Sequence, residues 1–241
     1  MLTVERLSIS YGGVKALNEL SMTLEPAKIY GLIGPNGAGK STAINAISGV
    51  IAPTSGKVSL NGKDVTQHSV HQRARAGVRR TFQNLALFQS MTVRENVECG
   101  ALHTISRQEG DGPSSAVDRL LDEFGLRAVQ HSHTQALPLG LRKRVELARS
   151  LVSAPSVLLL DEPAAGLTLE DMDDLKRRVR LVRDAGGIVL IVEHNMNLVL
   201  SLCEYLYVLE FGNLIASGKP FDVMEDPRVQ AAYFGGDDED A

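Results

Sequence analysis

Nine consecutive residues, Gly34, Pro35, Asn36, Gly37, Ala38, Gly39, Lys40, Ser41 and Thr42, fit the pattern G-x-x-x-x-G-K-[ST]. A loop of this kind turns its backbone N–H groups inward around a phosphate. Its glycines supply backbone angles that a Cβ forbids. Lys40 is placed to reach β- and γ-phosphates, and the Ser41 hydroxyl to ligate Mg²⁺. A glycine-rich turn with no ligand is the plainer alternative, and the flanks argue against it. Residues 28–33 read as a strand entering the loop and 42–48 as a helix leaving it, with its N-terminal dipole aimed at the phosphates. The segment therefore reads as holding a nucleoside triphosphate.

A second candidate centre is a pair of acids, Asp161 and Glu162, closing the apolar run 157–160. Neighbouring side chains on a strand point to opposite sides, so the two can take different roles. Beside a phosphate loop, Asp161 would hold Mg²⁺ through a water, and Glu162 would polarise a water attacking the γ-phosphate. His194 follows the next apolar run, 188–192, and would stand at the same carboxyl edge of a parallel sheet. Taken alone, a histidine at a strand end is more often just a satisfied polar residue. Gln83 is weaker still in isolation: a neutral amide can contact Mg²⁺ or orient water, but most glutamines do neither.

The elements that must position these groups are legible in outline. Residues 2–9 alternate, Gly12-Gly13 turns, and 59–63 reads as a strand meeting an Asn61-Gly62 hairpin turn. Residues 93–151 are helical in character, with Val117, Leu120, Leu121 and Phe124 on one face, broken by an exposed loop at 110–115. Strand signals at 156–160 and 188–192 enclose a helix striped by Leu175, Val179 and Val182, which is a βαβ unit and favours a parallel sheet. Two more strand-like runs, 205–209 and 214–217, flank Gly212-Asn213. The expectation is one α/β domain over 1–236, with helices of about 90–151 inserted and an acidic tail at 237–241.

Length and composition set bounds on function. With 241 residues, 44% of them apolar and 22% charged, the chain suits one large globular domain with a small insert. A net charge of −4 argues against bulk affinity for nucleic acid. Cys99 and Cys203 match no metal spacing and fit a reducing compartment. No leader peptide is visible at the start, and the apolar runs are too short to span a bilayer, so a cytoplasmic protein is expected.

The order of motifs then carries a resemblance: the phosphate loop, Gln83, the run from Leu137 to Arg149, Leu158-Leu159-Leu160-Asp161-Glu162-Pro163, and His194. Over nearly the whole chain this resembles the ATP-binding-cassette (ABC) ATPases. The resemblance implies a P-loop core with a mixed or parallel sheet, an N-terminal antiparallel β subdomain and a helical insert. It implies ATP and Mg²⁺ as ligands, and a head-to-tail dimer, homomeric or heteromeric, that sandwiches two ATP molecules. Each phosphate loop would face the partner's signature segment, here Leu137, Pro138, Leu139, Gly140 and Leu141. By the same resemblance Tyr11 stacks on adenine, Gln83 senses Mg²⁺ and couples to a partner, and His194 contacts the γ-phosphate, beside the roles already read for Ser41, Asp161 and Glu162. Tyr11 as a plain core or edge aromatic is the competing reading.

Finer resemblance, in residues 80–97, 161–167, 192–196 and 226–235, points to the branched-chain amino acid uptake group. The implied partners are transmembrane permeases, a second ATPase subunit and, indirectly, a solute-binding protein, with the chain peripheral on the inner face of the plasma membrane. A lipid- or lipopolysaccharide-export ATPase is the nearer alternative. A non-transport cassette fits less well, because there is a single phosphate loop and no sustained heptads.

Two segments depart from the family's pattern, at three positions. The signature of Leu-Ser-x-Gly-Gln has Pro138 and Leu141 here, so the serine contact is absent; what remains is Gly140 and the dipole of a helix beginning near Arg142. Thr168 stands where many relatives have Asp or Asn. Of the remaining basic residues, Arg73, Arg75, Arg79 and Arg80 read as a solvated helix end. Arg142, Lys143 and Arg144 read equally as surface charges or as a positive field near the partner's phosphates.

Overall fold

A computed structural model describes residues 1–82, 85–101 and 113–234, so Gln83, the residues 110–112 and the acidic tail lie outside the described residues. The chain opens with an antiparallel hairpin, β1 (Leu2–Tyr11) and β2 (Val14–Leu24). Gly12 and Gly13 close it at φ of 52° and 92°, the left-handed pair that a two-residue hairpin needs. Next come β3 (Lys28–Ile33), α1 (Lys40–Ser48), β4 (Ser55–Leu60) and β5 (Lys63–Asp64). The order β2-β1-β4-β5 forms one antiparallel sheet.

Between α2 (Val70–Arg75) and the helices stands a short strand, β6 (Val78–Arg80). Three helices follow, α3 (Val93–Ala101), α4 (Pro113–Glu123) and α5 (Leu139–Leu151). The chain then runs β7 (Val157–Asp161), α6 (Leu169–Asp184), β8 (Ile188–Val192), α7 (Met196–Leu202), β9 (Tyr205–Glu210), β10 (Asn213–Gly218), α8 (Pro220–Met224) and α9 (Pro227–Phe234). The second sheet has the order β10-β9-β3-β8-β7-β6 and is parallel except for β10 at its edge. The architecture is α/β, with a mixed sheet, an antiparallel sheet and helices.

The central strands are apolar along their interiors, with Lys28 opening β3 and Asp161 closing β7, because both of their faces are covered. Ile29, Ile33, Leu158, Leu160, Val189 and Ile191 face the helical side, together with Val117, Leu120, Leu121 and Phe124. The alternate residues Tyr30, Leu32, Leu159, Ile188, Leu190 and Val192 face α1 and the antiparallel sheet. Three details differ from the sequence reading. α4 begins at Pro113, inside the loop expected at 110–115. β6 is only three residues long and two of them are arginine, so periodicity gives it no signal. The β9–β10 turn is Phe211-Gly212, at φ of 44° and 78°, one residue earlier than Gly212-Asn213.

Candidate nucleotide site

Parallel pairing brings the carboxyl ends of β3, β7 and β8 to one edge: Leu32 and Asp161 both register with Val192. The loop after β3 is fixed by backbone on two sides. At Gly34, with φ of 146°, a Cβ would stand 2.1 Å from the Leu209 carbonyl oxygen; at Gly39, with φ of 103°, it would stand 2.6 Å from that of Ala16. Gly37 meets nothing within 4 Å and needs glycine for its φ of 79° alone. Gly39 is the N-cap of α1 and offers no side-chain cap, so the first amides of the helix are left for another acceptor. Asn36 and Ser41 are exposed beside this opening, whereas Ala38 is buried. Lys40 is 8% exposed, and its Nζ donates to the carbonyls of Gly34 at 2.7 Å and Pro35 at 2.8 Å. Burial pushes the Lys40 ammonium below its ordinary pKa, and the charges of Glu162 and Asp161 oppose that shift.

Asp161 ends β7 buried, and its Oδ2 accepts from Arg80 Nη2 at 2.8 Å. Arg80 Nη1 also donates to Asn45 Oδ1 at 2.5 Å and Ser48 Oγ at 3.1 Å, tying the acid to α1. This corrects the reading of the basic cluster as a solvated helix end. Arg73 is buried as well, donating to the carbonyls of Ala46 at 2.5 Å and Ile47 at 2.6 Å, where a cation complements the negative end of α1. Arg79 donates to the Ala74 carbonyl, and Arg75 alone of the four is exposed.

Glu162 has φ of 45°, a left-handed angle that costs a non-glycine residue about 1–3 kcal/mol. Its N–H still donates to the Val192 carbonyl at 2.9 Å, so the chain leaves the sheet abruptly after it. His194 Nδ1 lies 3.8 Å from Glu162 Oε1, and the imidazole is largely exposed. Glu193, which the sequence reading passed over, is buried.

Tyr11 is 54% exposed beside the β1–β2 turn, which excludes a core role. Gln83 lies outside the described residues, but both flanks of it are held. The amides of Phe82 and Ala86 donate to one oxygen of Glu146 in α5, at 3.2 and 3.4 Å. Burial raises the pKa of that carboxyl.

In the signature segment Leu137 is buried and Pro138 is the N-cap of α5, without a side-chain hydrogen bond. The helix starts at Leu139 and not near Arg142, so Gly140 and Leu141 lie in its first turn. A Cβ on Gly140 would stand 2.7 Å from the Asp171 carboxylate. Thr168 caps α6: its Oγ1 accepts from the Asp171 amide at 3.2 Å and donates to Asp171 Oδ2 at 2.9 Å. Thr, Asp and Asn all serve as N-caps, so the departure at 168 keeps the local fold. Lys143 and Arg144 turn to their own chain, Lys143 to the Pro163 carbonyl at 2.8 Å and Arg144 to Asp171 at 3.2 Å.

The donor set suits a nucleotide with Mg²⁺. Among the described residues no group of three or more His, Cys, Asp or Glu is placed to hold a metal. A hard cation here would take the Ser41 hydroxyl, Asp161 directly or through water, and phosphate oxygens. No helix among the described residues is long and apolar enough to cross a membrane.

Known proteins resemble this chain over most of its length. The family model described as ABC transporter matches residues 17–165, and that described as branched-chain amino acid ATP-binding cassette transporter matches 213–239. The chain is 35% identical to the lipopolysaccharide export system ATP-binding protein LptB of Haemophilus influenzae, over 98% of this chain and 97% of that one. It is also 35% identical to the high-affinity branched-chain amino acid transport ATP-binding protein BraF of Pseudomonas aeruginosa, over 98% of each. The crystal structure of the ADP conformation of MJ1267, an ATP-binding cassette of an ABC transporter, superposes with a TM-score of 0.86 at 30% identity, over 98% of each chain.

Proposed function

Because the chain belongs to the ABC transporter family, as an ATP-binding and ATP-hydrolysing subunit, we propose that it energises import of branched-chain or related amino acids. The cassette alone does not choose between uptake and export, since an export and an uptake ATPase are equally identical to it. The observation that carries the choice is the C-terminal match over 213–239 to the branched-chain transporter model. In that segment Val229 and Tyr233 pack against the core on the helical side.

In this reading residues 34–42 and Lys40 hold the phosphates, Tyr11 stacks on the adenine, and Ser41 and Asp161 hold Mg²⁺. Bound Mg²⁺ would neutralise charge that develops on the β- and γ-phosphates. Glu162 orients and polarises the attacking water, with His194 beside it at the γ-phosphate, and Gln83 reports the state of the site to a permease. Catalysis is then mostly positioning and charge stabilisation. The signature residues Leu137, Pro138, Leu139, Gly140 and Leu141 serve the nucleotide of a second ATPase subunit, in a head-to-tail dimer docked on permeases.

The test is membrane pull-down with the full chain, followed by reconstitution of the recovered complex in proteoliposomes. ATP-driven leucine uptake that requires a solute-binding protein is the expected result. Recovery with lipid-extracting permeases, and no amino acid uptake, would establish the export reading instead.

A further inference from the structure

One peptide group next to Glu162 is gripped from both ends by opposite charges. Lys143 Nζ donates to the carbonyl of Pro163 at 2.8 Å, and Glu193 Oε1 accepts from the amide of Ala164 at 2.8 Å. That carbonyl and that N–H belong to the same peptide unit. In a trans peptide they point in opposite directions, so the cation and the anion sit at the two ends of its dipole. Both bonds are charge-assisted, the stronger class. The second oxygen of Glu193 accepts from the amides of His194 at 3.0 Å and Asn195 at 3.2 Å. One carboxylate, 1% exposed, thereby ties the loop after Glu162 to the loop that carries His194.

We propose that Lys143 and Glu193 are positioning residues for ATP hydrolysis, which clamp the Pro163–Ala164 peptide and so hold Glu162 in its left-handed backbone and His194 in register with it. The proposal rests on the reading of Glu162 as the residue that activates water. A strained φ of 45° persists only where its surroundings over-determine it, and the two charges act on the Pro163–Ala164 peptide, which begins at the residue after Glu162. The grip has two origins: Lys143 comes from the helical insert through α5, Glu193 from the end of β8. A shift of α5 against the sheet therefore reaches the catalytic carboxylate through one peptide. Lys143 is half-buried, and it feels the charges of Glu146, Glu193 and Glu162 together.

The experiment uses the full chain in complex with its permeases, and compares Lys143→Met, Glu193→Gln, the double variant, Lys143→Arg and a Glu162→Gln control. Turnover per bound nucleotide, the Kd for ATP and the melting temperature are measured for each. Each single neutral variant is expected to lose about 10- to 100-fold in kcat, since small misplacements of a reacting group cost that much. The Kd for ATP stays within about twofold, and the double variant falls within about twofold of the slower single, the mark of two groups acting on one peptide. Lys143→Arg, which keeps a cationic donor, recovers most of the rate.

Wild-type turnover in Lys143→Met overturns the proposal, as does a double variant whose loss is the product of the singles. A fall in kcat that only tracks lost ATP binding also overturns it, because that is what a purely structural ion pair would give. Should Glu193→Gln not fold, Lys143→Met and Lys143→Arg decide alone. Wild-type turnover in Glu162→Gln removes the catalytic reading itself, whereas a dead Glu162→Gln beside a normal Lys143→Met removes the clamp alone.

Discussion

The phosphate loop and the signature segment are both helix N-termini preceded by a glycine-bearing or proline-bearing turn, yet their own chain treats them differently. Gly34 and Gly39 press on the backbone of β9 and β2, and Lys40 is sunk among the loop's carbonyls. Around Gly140 the nearest neighbour is a side chain, the Asp171 carboxylate, and the N-cap residue Pro138 contributes no side-chain hydrogen bond, only its carbonyl to the Arg142 amide. One half-site is preorganised by backbone before any ligand arrives. The other is a helix end with amides left over, useful when an anion is brought to it by another molecule. This difference fits the proposal that the chain binds nucleotide through its own loop and takes a second chain to complete a site.

The sharpest break would come from the acid beside the loop. Glu162→Gln keeps shape and removes the proposed base, so turnover should fall about 10³-fold with ATP binding retained, within the range that general-base groups contribute. Steady-state hydrolysis and nucleotide titration on the same sample measure both. Wild-type hydrolysis in that variant would remove Glu162 from the chemistry.

The two glycines test the comparison directly. In Gly34→Ala a Cβ would lie 2.1 Å from a backbone oxygen at φ of 146°, and neither can move cheaply. A loss of about 3–4 kcal/mol in folding stability is expected, or no soluble protein. In Gly140→Ala the obstacle is the end of an aspartate, and alanine gains about 0.5–1 kcal/mol within a helix. Its melting temperature should hardly change while ATP turnover falls. Equal thermal denaturation of the two variants would show that the halves are not built differently after all. Lys40→Ala comes next: losing a charged donor worth about 1.5–3 kcal/mol should weaken ATP binding about 10- to 100-fold, read by nucleotide titration.

What the sequence made legible was the half-site held by local backbone. The loop, the strand before it and the acids at the end of β7 announce themselves because glycine spacing and apolar runs are properties of neighbours in the chain. Arg80 lies 81 residues from Asp161, and Glu146 lies 64 from Phe82; no pattern along the chain links such pairs. The basic cluster looked solvated because charge alone was visible, not the open carbonyls at the end of α1 that draw Arg73 inward. The helix was expected to begin near Arg142, whereas it starts at Leu139, and the Asp171 carboxylate packed against Gly140 lies far along the chain. The turn at Phe211-Gly212 was displaced by one for a similar reason: phenylalanine at φ of 44° is rare, and the nearby Ala16 carbonyl fixes where Gly212 must sit.

The smallest change addresses the weaker half. Pro138 occupies an N-cap with extended angles, φ of −56° and ψ of 155°, which serine adopts without strain. Pro138→Ser restores a hydroxyl able to accept from an amide two or three residues on, worth about 1 kcal/mol. For a domain of this size that is a rise of about 2–4 °C in melting temperature, readable by calorimetry. The same hydroxyl would also be available to a phosphate facing the helix end, so hydrolysis should rise modestly in the assembled complex. It should not rise in dilute isolated chain, because there the signature has no second nucleotide to meet. A gain in hydrolysis that is independent of protein concentration would mean that the signature acts within its own chain, and the contrast between the two half-sites would be lost.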